Sequence, residues 1–106
     1  MAWMILVCAG LMEIVWAFFM KKSAGFTLLA PTAITIAAML ASVALLSVSM
    51  KSLPLGTAYS IWTGIGAVGA FVAGVAFLGE AAMLPRILAA ALIVAGILMM
   101  KFASAE

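Results

Sequence analysis

Met1-Ala-Trp-Met-Ile-Leu-Val-Cys-Ala-Gly-Leu-Met-Glu13-Ile-Val-Trp16-Ala-Phe-Phe-Met20 carries one charged side chain, Glu13, in an otherwise apolar run. A bilayer core of about 30 Å needs roughly 20 apolar residues in a spanning helix, and this stretch has that length. The acid would then lie inside the membrane. A charge at the bilayer centre costs about 2.5–3.5 kcal/mol on insertion scales, while each central Leu, Ile, Val or Phe returns about 0.3–0.6 kcal/mol. The run inserts in spite of Glu13, and an intramembrane ionisable group marks a functional site by default. The plain alternative is a protonated Glu bonded to a neighbouring helix. At 3.6 residues per turn Gly10, Glu13, Trp16 and Ala17 share one side of the helix, so a small residue and an indole border the acid.

Working outward, the whole chain has the same character. Of its 106 residues 70% are hydrophobic and 8% charged, against about 45–50% and 25% in ordinary globular chains. The expected architecture is an all-α integral membrane protein, a single domain over residues 1–106 with helices at about 3–20, 31–50, 57–78 and 84–101. Four spans leave only short connections, with no room for a soluble catalytic or nucleotide-binding domain. With no His and one cysteine, Cys8, there is no Cys/His metal cluster and no internal disulfide, and neither metal nor cofactor is expected. A net charge of +2, scattered over the ends of the apolar runs, fits interfacial anchoring and not nucleic-acid binding. A cleaved signal peptide is not expected, because the first run lacks a basic leader segment and exceeds an h-region of about 7–15 residues.

The remaining spans differ in content. The second carries Ser42, Ser47 and Ser49, whose simplest role is bonding back to helix carbonyls. The third holds Tyr59, Ser60, Trp62 and Thr63, and the polar tips of Tyr59, Trp62 and Thr63 need partners in lipid. Gly64 and Gly66 follow near mid-membrane, a candidate hinge, while positions 66, 70 and 74 form a small-xxx-small row for close helix approach. In the fourth span Ala89 and Gly96, one heptad apart, are a candidate dimer-packing seam.

Lys21, Lys22 and Arg86 fall in the odd connections and Lys51 and Lys101 in the even connection and tail, three against two. So small a bias predicts insertion in both orientations and an antiparallel homodimer, a geometry that permits alternating access. A dimer is expected on packing grounds as well, because three helices are too few to screen a charged substrate from lipid.

Gly10-Leu-Met-Glu13-Ile-Val-Trp16-Ala17, Lys51-Ser-Leu-Pro-Leu-Gly-Thr-Ala-Tyr59-Ser-Ile-Trp62-Thr-Gly-Ile-Gly-Ala-Val-Gly69 and Leu-Ile-Val-Ala-Gly96-Ile closely resemble the small multidrug resistance family. Trp16, three residues after the membrane acid, resembles the guanidinium-exporting branch, since a small residue is usual there in the broad drug exporters. Ser60 departs from that branch, which usually has Ala. The resemblance implies a bacterial inner-membrane protein, an antiparallel homodimer that exchanges guanidinium-type cations for protons at a shared pair of Glu13 carboxylates. It implies further that Ser42 hydrogen-bonds the carboxylate, that Trp16 and Trp62 line the site, with Gly10 and Thr63 supporting it, and that Tyr59 gates it.

The chemistry is coherent. Two acids facing each other in low dielectric titrate as a unit, and a cation entering between them takes the place of their protons. Guanidinium suits such a pair because its planar fork matches carboxylate oxygens and its faces stack on indoles. Two other readings stay open: an exporter of larger quaternary ammonium cations, and a non-transporting accessory subunit whose Glu13 pairs with another membrane protein. A simple channel is disfavoured, because one acid per subunit makes no continuous polar stripe.

Overall fold

The computed structural model describes residues 1–103, and among these every regular element is an α-helix: α1 (Ala2–Lys22), α2 (Leu29–Ser49), α3 (Leu55–Phe77) and α4 (Leu84–Ala103). Each is long and apolar enough to cross a membrane. The ends follow local chemistry. Pro31 lies in the first turn of α2 and Pro85 in that of α4, where a missing N–H breaks no helical bond. Pro54 stands as the extended residue just before α3. The α1–α2 turn is tied by buried Ser23, which donates to the Met20 carbonyl at 2.6 Å and accepts from the Phe26 N–H at 3.0 Å.

The helices pack as a flat layer. α1 lies against both α2 and α3, α4 packs on α3, and α2 meets α3 over a short stretch. The Cα envelope measures 43 × 34 × 16 Å. What core there is sits where α1, α2 and α3 meet: Leu6, Ala9, Leu46, Ala58, Ile61 and Trp62 are buried together. α4 has no buried residue. Its Ala89 and Gly96 are exposed, and a β-carbon at Gly96 would meet nothing within 4 Å.

Glycine sets the α1–α3 and α3–α4 seams. A β-carbon at Gly10 would come within 2.7 Å of Ile65, and one at Gly69 would overlap Ile14. At Gly64 it would come within 2.8 Å of Ile97 on α4. α3 is continuous through Gly64 and Gly66, and both are contact points for side chains of neighbouring helices. Lys101 reaches over the Trp3 ring, 4.9 Å from its centroid, which places the start of α1 and the end of α4 at one membrane face.

Candidate functional site

The middle of α1 presents Glu13 to α3. Its carboxyl group lies against Gly66, where a β-carbon would occupy the position of Oε1 and Cδ. Gly10, one turn before it, and Ile14, the next residue, are the ones that engage Ile65 and Gly69. The acid is therefore held by two close helix contacts on either side. Its Oε1 is buried with no hydrogen-bond partner in the subunit, and so is Nε1 of Trp16 on the same helix. An acceptor and a donor one turn apart are thus left unsatisfied, a costly state in a buried setting.

Ser42 takes a position different from the one implied by the resemblance. Its hydroxyl donates to the Ala9 carbonyl on α1 at 2.7 Å and accepts the indole N–H of Trp62 at 3.0 Å. The single hydroxyl proton is thereby committed, so in this subunit Ser42 makes no hydrogen bond to the Glu13 carboxylate. Nor does it bond back within its own helix. The chain Trp62 to Ser42 to Ala9 joins α3, α2 and α1 one turn before Glu13, at the carbonyl that accepts the Glu13 backbone N–H in a regular helix. Ser42 thus positions the backbone that carries the acid. Replacing it with Ala leaves a buried indole N–H and a carbonyl short of a partner. We expect Ser42→Ala to lower stability by about 1 kcal/mol, the scale of interhelical hydrogen bonds in membranes. A thermal melt in detergent that is unchanged within error, with unaltered Trp62 fluorescence, would contradict this role.

The other expected residues divide into two groups. Tyr59 packs its ring on Trp62, centroids 5.6 Å apart, and is 53% exposed. Tyr59, Ser60 and Thr63 line a cleft of about 370 Å³ between α3 and α4. Tyr59, Thr63 and Gly66 follow each other at four- and three-residue steps and so share one side of α3, which runs toward the Glu13 contact. Ala89 and Gly96 on α4 are exposed, and Gly96 lines a neighbouring cavity with Ser60 and Gly64.

One cluster escaped the sequence reading. Glu80 pairs with Arg86 at 3.7 Å, and Arg86 also donates to the Ala81 carbonyl at 2.7 Å and lies over Phe71, 5.1 Å from the ring centroid. The signal in the sequence is Gly79, which takes a positive φ beside Glu80, with a residue of opposite charge, Arg86, six positions after that acid.

Comparison with known proteins bears directly on this geometry. The chain matches the Small Multidrug Resistance protein family over residues 1–93. It is 59% identical over 104 residues to a guanidinium exporter of Yersinia pestis, covering 98% of this chain and 100% of the relative. It is 54% identical to a guanidinium exporter of Citrobacter freundii and 56% identical to one of Salmonella typhimurium, each over 98% of this chain and 99% of the relative. With four membrane-length helices and a family match through α1, α2, α3 and half of α4, the chain is a multi-pass membrane protein of the small multidrug resistance family.

Proposed function

We propose that this protein is a guanidinium exporter that couples efflux to proton entry, working as an antiparallel homodimer around two Glu13 carboxylates in the bacterial inner membrane. The relatives are named as exporters of guanidinium, which favours transport over an enzymatic reaction. The observation that carries the reading is the carboxyl group of Glu13, midway along a membrane span, with an unpartnered oxygen beside the unpartnered Trp16 indole.

In a single copy the buried Oε1 of Glu13 and Nε1 of Trp16 have no partners. A second copy can supply what they lack, and the exposed Ala89 and Gly96 of α4 offer small residues for close packing. Turning the second copy upside down places two identical halves about an axis in the membrane plane, so that opening to one side and opening to the other are the same structure with the subunits exchanged.

Within the pair, a guanidinium ion donates its planar N–H fork to the carboxylates and rests its faces on Trp16 and Trp62. Two protons on the same carboxylates exclude it. Only one occupant is held at a time, so a cation leaves when protons arrive, and exchange follows without a second site. The test is purified protein in liposomes with guanidinium and proton movement recorded together: guanidinium-driven proton flux is expected, and its absence from the purified protein would leave the accessory-subunit reading. Orientation is tested separately by a C-terminal reporter. Comparable signal from both sides of the membrane is expected, and one exclusive orientation would remove the antiparallel arrangement.

A further inference from the structure

Glu80 is held in an unusual place. Its backbone N–H bonds back to the Gly74 carbonyl at 3.1 Å, alongside the Leu78 N–H at 3.0 Å, in a turn made by Gly79 at φ +70°. This folds the carboxyl group back onto Gly74, where a β-carbon would overlap it. A carboxylate at the C-terminal end of a helix adds to the negative end of the dipole, so this point attracts cations. What answers it is the chain's own guanidinium: Arg86 at 3.7 Å, stacked on Phe71. Carboxylate, aromatic face and guanidinium are the same three chemical parts proposed for the central site.

The location matters. Glu80 and Arg86 border a groove of about 340 Å³ whose floor includes Ala17, Ala70 and Gly74, with Lys21 on its rim. Ala17 is one turn beyond Glu13 on α1, and Gly74 is eight residues, about 12 Å, along α3 from the Gly66 that supports Glu13. The groove thus leads from the charged end of the layer toward the central acid. With Arg86 in place, its rim carries Lys21 and Arg86 against one Glu80, a balance that repels a free cation. Both side chains of the pair are partly exposed, 43% and 40%, so Arg86 can swing to headgroup water and leave Glu80 open.

We propose that Glu80 is an outer station for the cargo cation at the mouth of the α1–α3 groove, and that the Arg86 guanidinium is its resident occupant, displaced by a cargo guanidinium on its way to Glu13. This rests on the guanidinium-export reading above. The resident makes the mouth selective, because an incoming cation must displace a guanidinium that is paired with Glu80 and lies over the Phe71 ring.

The experiment measures guanidinium transport in proteoliposomes as KM and maximal rate for the wild type, Glu80→Gln, Arg86→Gln, the double variant and Gly74→Ala. Arg86→Gln should lower KM and Glu80→Gln raise it, each by about two- to fivefold, the scale of an exposed ion pair, with maximal rates unchanged. Gly74→Ala, which moves the carboxylate without altering charge, should resemble Glu80→Gln. In the Glu80→Gln background Arg86→Gln should do nothing. Additive effects would reduce the pair to general surface charge, and shifts in the same direction for both single variants, with a lowered melting temperature, would reduce it to a structural clamp; either overturns the station. Should the wild type move no guanidinium, the export reading itself falls. The station is then judged in micelles of the Arg86→Gln variant by guanidinium-induced changes at the Gly79 and Glu80 amide resonances, and their absence overturns it independently.

Discussion

Glu13→Gln is expected to abolish guanidinium-driven proton movement while leaving the protein folded and inserted. Glutamine keeps the size of the side chain and its place against Gly66. It neither releases a proton nor carries the charge that attracts a cation. Removing one partner of a buried, hydrogen-bonded charge pair costs about 2–5 kcal/mol, which is about 30-fold to a few thousand-fold in affinity. On the proposed reading one group serves both ions, so the variant should lose cation binding and coupling together. In the wild type, competition between protons and guanidinium should make cation binding tighter as pH rises, and in Glu13→Gln this dependence should vanish. Calorimetry that finds equal binding at acidic and alkaline pH in the wild type, or undiminished binding in the variant, would contradict a shared site.

The second large effect is expected at Gly66. The three nearest neighbours of a β-carbon built there all belong to the Glu13 side chain, the movable end of a flexible group. Gly66→Ala should therefore push the carboxyl group aside without breaking the α1–α3 seam. Helix propensity favours Ala over Gly by about 0.8–1.0 kcal/mol, so stability should hold or rise. Transport should fall by about 10- to 100-fold, since a displacement of about 1 Å in a positioned group is worth up to about 100-fold. Gly64→Ala makes the contrast, because there the β-carbon meets Ile97 of α4. That variant should lose thermal stability through α3–α4 packing. Equal behaviour of the two variants in both melting and transport would show that Gly66 does no more than pack.

These glycines also show where reading a sequence stops. Four apolar runs of bilayer length are legible because the membrane core fixes how long a span must be, and an acid inside such a run stands out against its cost. Which helix lies at the centre is not legible. α1 holds that place because Gly10 and Gly69 let it approach α3, and the sequence says only that something comes close to each of them. Gly64 and Gly66 look alike in sequence, yet one faces an isoleucine of α4 and the other the carboxyl group of α1. Ser42 is similar. A hydroxyl in a span must send its proton somewhere, and its burial between α1 and α3 decides that this is the Ala9 carbonyl. Glu80 and Arg86 were hidden for another reason, since the turn at Gly79 that brings them together depends on how α3 ends.

The contact of Lys101 with the Trp3 ring has a consequence for engineering. Since α1 begins and α4 finishes at the same face, tethering two copies tail to head through a short hydrophilic linker aligns them in parallel. A one-polypeptide version with opposed halves requires an added crossing between them, so the simplest duplication of the gene preserves the fold of each half and does not yield the inverted two-fold pair proposed above.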